Sequence, residues 1–227
     1  MKNKNLIPFL ISLSVCLLFI WFSPWRLREH WLRNTPERYR KELVRIREKR
    51  KQLAYEKADS KAVRTAFVQT INQQLFPHWY GTFWSFNGTT QTPGRGSIAC
   101  GYFVTTVLRD AGLDINRSAL AQMASEKMIT SLVNERYIQR FSNRSIGEFV
   151  EQIRQSGRGL YLVGLDNHTG FIIYDAAGVR FVHASGAYPF CVISETAQEA
   201  SILKKSAYRI VGKISDDPVV LQRWVKA

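Results

Sequence analysis

His168-Thr-Gly-Phe-Ile-Ile-Tyr-Asp175, then Ala-Ala-Gly178, then Val179-Arg-Phe-Val-His-Ala-Ser185 is the stretch that decides the fold. Two runs of β-branched and aromatic residues flank a short break carrying Asp and Gly, which is the pattern of an antiparallel hairpin. With the turn at Asp175 to Gly178, Tyr174 pairs with Val179 and His168 lies opposite Ser185. His183 then projects from the same face as His168. Diagonal neighbours of this kind are about 7–8 Å apart at the backbone, within reach of two imidazole rings. A slip of one residue would put the rings on opposite faces. The plainer alternative is two unrelated sheet histidines, one of them hydrogen-bonded in the core.

Outward from the hairpin, Leu160 to Leu165, Cys191 to Ser194 and Ala207 to Ile214 also follow strand periodicity. Upstream the period is helical. Cys100, Phe103, Val104, Val107, Leu108 and Ala111 fall on one face of a helix predicted over Ser97 to Ala111, with Ser97 as its cap and Gly112 as its left-handed stop. Two further helical patterns cover Ser118 to Val133 and Ile146 to Gln155, and His78 to Gly96 reads as loop with short extended pieces. Helices followed by consecutive strands predict an α+β domain, with the Phe103, Val107 and Leu108 face packed on an antiparallel sheet.

Before this domain the character of the chain changes. Leu6 to Trp25 holds no charge, and twenty residues at ~1.5 Å each span a ~30 Å hydrocarbon core. Trp21 and Trp25 fall where interfacial aromatics belong. A cleaved signal peptide would need small residues at a cut site, and the segment ends Ile-Trp-Phe-Ser-Pro-Trp. Cys16 lies mid-segment, so a lipoprotein signal fits poorly. An uncleaved transmembrane anchor over residues 1–25 is the expectation.

Residues 26–76 read as a basic helical stalk and a lead-in helix. Thr35 caps and Pro36 begins a helix running to Ala58, with a narrow stripe of Leu43, Ile46, Arg50 and Leu53. A solvated stalk is preferred to a helix lying on anionic headgroups. A second helix from Lys61 carries Val63, Phe67, Val68, Ile71 and Leu75 on one face and ends at Pro77. The domain proper is then 77–227.

The 227 residues carry a formal charge of +14, of which Arg26 to Arg64 supplies +8 from fourteen Lys or Arg against six Asp or Glu. Such an excess favours anionic partners. The basic run adjoins an apolar segment and no nucleic-acid motif is present, so a membrane surface is expected in preference to nucleic acid. The three cysteines, 16, 100 and 191, show no zinc-ligand spacing, so no metal is expected. Cys100 and Cys191 are left for the domain, where a disulfide would require an oxidising compartment.

Cys100 sits at the start of its helix, where free N–H groups and the helix dipole favour a thiolate. Alone, it reads more often as a small core residue. With His168 and His183 on one face it forms a nucleophile–base–orienter arrangement, in which His168 takes the thiol proton and His183 holds the His168 ring. The Cys100 N–H, with the preceding loop, would stabilise an oxyanion. Asp166 is the second choice of orienter, and Asp175 a weaker one.

These residues carry a resemblance. Ser97-Ile-Ala-Cys-Gly-Tyr-Phe-Val104, the helix ending Asp110-Ala-Gly112, His168-Thr-Gly170 and Phe181-Val-His-Ala-Ser185 together resemble the NlpC-type papain-like cysteine peptidases, mostly bacterial cell-wall endopeptidases with a Cys–His–His triad. The resemblance runs from about Trp79 to Ile214. It departs from the family at Ala99-Cys100-Gly101-Tyr102-Phe103, where Asp-Cys-Ser-Gly-Phe is usual, and in a longer Cys-to-His interval filled by inserted helices. The family's oxyanion-supporting tyrosine has two counterparts to choose from, Tyr80 and Tyr102. The resemblance implies a membrane-anchored cysteine peptidase or amidase acting on peptidoglycan peptides without a cofactor. The alternative is a non-catalytic membrane- or wall-binding protein on the same fold. The basic residues following the anchor favour a cytoplasmic domain, while the resemblance favours the outer face of the cell membrane, which is the expectation adopted.

Overall fold

The computed structural model describes residues 35–226. The anchor expected over 1–25, and the start of the basic segment, lie outside the described residues. Among the described residues no helix is long and apolar enough to cross a membrane.

The centre of the fold is a six-stranded antiparallel sheet. Its strands are β3 (Ile138–Ser142), β4 (Gly159–Leu165), β5 (Thr169–Asp175), β6 (Gly178–Ala184), β7 (Val192–Thr196) and β8 (Tyr208–Gly212). They lie in the order β3-β8-β4-β5-β6-β7. A separate short pair, β1 (Phe83–Trp84) and β2 (Ser97–Ile98), runs parallel. The hairpin register is the one the sequence predicts: Tyr174 pairs with Val179, and Asp175 with Gly178. Asp175 fixes the turn by accepting the Ala177 N–H at 2.9 Å.

Every residue of β4 is buried, because both faces of the sheet are covered. Leu160, Leu162, Phe171, Ile173, Val182 and Ile210 face one hydrophobic layer. Tyr161, Val163, Ile172, Phe181 and Val211 alternate with them and face the other, under α7 (Ile146–Gln155) and α8 (Ser201–Lys205). On the first layer lies α4 (Cys100–Ala111), packed as expected: the Phe103 ring meets Phe171 edge-on at 5.9 Å. Gly112 ends α4 in the left-handed conformation at φ 108°.

Several expectations change. The pattern over Ser118 to Val133 divides into α5 (Arg117–Ala121) and α6 (Ser125–Leu132). Ser97 does not cap α4; it belongs to β2, and its hydroxyl pairs with Ser85 at 2.9 Å. Ala99 stands at the cap and offers no side-chain acceptor. The second helix does not stop at Pro77. α2 (Ser60–Gln69) widens into a π-helical segment, Thr70–Leu75, in which Phe76 N–H bonds back to Ile71 O. α3 (Phe76–Trp79) then begins, so Pro77 lies in a first turn where its missing donor costs little.

The largest correction concerns α1 (Pro36–Tyr55), capped by Thr35 as expected but not a free stalk. It buries Tyr39, Ile46, Arg50 and Leu53 against the body of the fold. Arg50 Nε donates to the Trp224 carbonyl at 2.6 Å, in α9 (Pro218–Lys226), so one of the basic residues is a core residue. Tyr39 donates to Asp110 and accepts from Trp79 Nε1 at 3.0 Å. No division falls at 76/77: Phe67, Ile71, Leu75, Phe76 and Trp79 share one core with the sheet.

Candidate active site

Cys100 is the first residue of α4, reached directly from β2. With no side-chain cap at Ala99, the first-turn amides are left for the thiol. The N–H groups of Thr169, Gly101 and Cys100 itself face the sulfur and favour its anion. Burial opposes them and dominates, so the Cys100 thiol lies above the ordinary cysteine value. That reverses the direction expected from the helix start alone: desolvation of a charged sulfur outweighs three amide dipoles.

Gly101 sits where the fold leaves no room for a side chain. A Cβ at this position would lie 2.3 Å from the Ala121 carbonyl oxygen. The backbone of α5 presses against the residue after the cysteine, leaving no space for serine.

His168 immediately precedes β5, and its carbonyl accepts the Leu165 N–H at 2.8 Å. It lines, with Cys100, Gly101, Met123, Asn167 and Tyr208, one cavity of about 490 Å3. A larger cleft of about 790 Å3 lies between α2 and α9, and its described lining includes no cysteine or histidine. The expected histidine pair is formed: His168 Nε2 lies 2.9 Å from His183 Nδ1, with the rings crossed at 87°. Gly170, opposite His183 across the hairpin, makes this pairing fit. A Cβ there would come within 2.8 Å of His183 Cβ.

Behind the pair lies a residue the sequence reading missed. His183 Nε2 is 2.9 Å from Glu195 Oε1 on β7. Phe181 stacks on the His183 ring at 3.9 Å and 12°, holding its plane. Burial pushes the His168 imidazole down to about 3, with the neighbouring His183 adding to the effect. Burial also lowers His183, against the opposing pull of Glu195. The resting cavity therefore holds a neutral thiol and a neutral imidazole.

The other expected residues serve elsewhere. Asp166 touches the cavity, but its carboxylate accepts from Ser206 Oγ at 3.0 Å, Ala207 N–H at 2.8 Å and Tyr208 N–H at 3.1 Å. It organises the start of β8, and the first of those amides holds its carboxyl below the ordinary value. Asp175 sits at the far end of the hairpin, paired with Arg180 at 2.6 Å. Tyr102 accepts from Gln122 at 3.0 Å and carries the Arg117 guanidinium 4.7 Å over its ring. Tyr80 packs on the main core. The described lining of the cavity includes neither tyrosine, but does include Tyr208. Cys191 is a buried free thiol, like Cys100 unpaired in a disulfide. Among the described residues no group of three or more His, Cys, Asp or Glu is placed to hold a metal ion.

Glu195 carries a weak signal in the sequence. On β7 it stands opposite Phe181, with Ile193 opposite His183, so Glu195 reaches His183 diagonally. Finding it required the β6–β7 register, which depends on the loop between them.

No protein-family model, curated protein or solved structure matches this chain.

Proposed function

We propose that this chain is a cysteine hydrolase of amide bonds built on a papain-like, NlpC-type plan, acting on cell-wall peptides. The observation that carries the reading is the meeting of Cys100 and His168 in one cavity, with His183 at 2.9 Å behind His168. The run from Leu6 to Trp25 supports retention at the cell membrane, and the family resemblance favours the outer face for the domain.

In this reading substrate binding expels water from the cavity, and His168 takes the Cys100 proton as the sulfur attacks the amide carbon. The carbonyl π pair moves onto oxygen, where the N–H groups at the start of α4 receive it. Collapse breaks the C–N bond, and the imidazolium returns its proton to the departing amine. Water, deprotonated by His168, then cleaves the thioester and regenerates the thiol. His183 holds the imidazole plane throughout.

The raised Cys100 thiol favours a second reading, a binding protein that keeps the fold without turnover. Incubation with muropeptides of defined sequence separates the two. Release of a new amine by the wild type, with a Cys100-linked acyl adduct in the mass spectrum, supports the hydrolase. Tight binding with neither product nor adduct supports the binder.

A further inference from the structure

Resting on the hydrolase reading, we propose that Glu195 is a positioning residue that sets the tautomers of both histidines, and so decides which His168 nitrogen is the base. The geometry is a chain of two contacts, Glu195 Oε1 to His183 Nε2 and His183 Nδ1 to His168 Nε2, each 2.9 Å. A carboxylate has only acceptor atoms, so the proton in the first contact sits on His183 Nε2. A neutral imidazole carries one ring proton, which makes His183 Nδ1 an acceptor. The second contact therefore takes its proton from His168 Nε2. His168 Nδ1 is left with the lone pair, on the ring nitrogen not engaged by His183.

Among the described residues no other group competes for this choice. The titratable groups around His168 are Cys100 from α4, His183 from β6, and Glu126, Asp166 and Tyr208 on the cavity wall. Asp166 is held by the start of β8, and Glu126 by Arg140 at 2.9 Å. His183 is wholly buried while the Glu195 side chain is 30% exposed, so the chain of contacts runs from solvent to the cavity. The opposite tautomers would place a proton on His168 Nδ1 and leave it unable to accept one from sulfur.

The test uses the whole protein with nitrogen-15 histidine at neutral pH, reading ring tautomers by NMR and Cys100 reactivity by iodoacetamide. Wild type is expected to show Nε2-protonated rings at both His168 and His183. Glu195→Ala should mix the tautomers of both and slow alkylation about tenfold to a hundredfold, the range for losing a hydrogen bond to a charged group. Glu195→Gln, whose amide oxygen still accepts, should recover part of both signals. Glu195 lies at the rim, and unchanged thermal melts would show that these variants fold. Wild-type tautomers in Glu195→Ala, or an Nδ1-protonated His168 in the wild type, overturn the proposal. Correct tautomers with no hydrolysis of any amide would sink the hydrolase reading alone. Hydrolysis unaffected by Glu195→Ala would leave that reading standing and remove this one.

Discussion

His168 Nε2 and His183 Nδ1 lie 2.9 Å apart across one hairpin, and that contact determines how the rest of the site is organised. The two residues are fifteen apart in sequence, and the antiparallel register brings them together on one face of the sheet. The contact occupies one nitrogen of each ring. It leaves His168 Nδ1 for the cavity and His183 Nε2 for Glu195. In the proposed hydrolase a hairpin supplies both the base and its support, and α4 brings the nucleophile.

Losses on mutation should be unequal. Cys100→Ala should abolish turnover, since the described cavity wall holds no other thiol. His168→Gln should lower kcat by about 100- to 10,000-fold, the range for a general base. His183→Ala should cost about ten- to a hundredfold, because it acts through His168. His183→Asn, which can still accept the His168 proton, should cost less. Steady-state kinetics on one muropeptide check the order, and a His183→Ala loss as deep as that of Cys100→Ala would contradict it.

The buried imidazole makes the fold sensitive to acid. His168 titrates near 3 in the folded chain, whereas an unfolded histidine titrates near 6.5. Between those values the unfolded chain binds the proton and the folded chain does not, so stability rises with pH across the window. Its contribution is complete above about 6.5 and is lost as pH falls towards 3. His183 is lowered also and acts in the same sense. Thermal melts from pH 7 to 4 should therefore fall more steeply for the wild type than for His168→Gln. Parallel curves would show that His168 titrates alike in both states.

Sequence alone gave access to some of these features and not to others. The hairpin was readable because its period-2 pattern and the Asp175 to Gly178 turn fix the register locally. The helix α4, with Cys100 in its first turn, was readable from helical spacing, although its start was placed too early and its cap two residues off, on Ser97. Edge strand β3 was missed because Ile-Gln-Arg-Phe-Ser has little apolar pattern and is nowhere buried. Glu195 was missed because its partner is set by a register across a loop. The role of α1 was hidden by its charge: Arg50 looks like solvated surface until the Trp224 carbonyl is found beside it.

Gly101→Ser restores the residue usual in the resembling family and should harm this protein. The new Cβ would meet the Ala121 carbonyl oxygen, so α5 or the start of α4 must shift. Overpacking of this kind costs about 1–3 kcal/mol. Urea unfolding should show the loss, and iodoacetamide labelling should show an altered Cys100 rate because the first turn moves with it. A variant as stable as the wild type would mean that α5 is not pressed against α4.

The packing of α1 can be tested without touching the site. Tyr39→Phe deletes the hydroxyl that donates to Asp110 and accepts from Trp79, leaving buried polar atoms unpaired. Arg50→Met keeps the aliphatic length but removes the donor to the Trp224 carbonyl. Each should lower stability by about 1–3 kcal/mol, the usual cost of a buried group left without its partner. Lys41→Ala and Lys51→Ala lie on the solvent side of the same helix, with 68% and 66% of the side chain exposed. They should stay within about 0.5 kcal/mol of the wild type. A stalk standing clear of the domain would make all four substitutions equally silent in urea unfolding. A helix that is part of the fold makes two costly and two silent, and the difference lies in which face each residue occupies rather than in its charge.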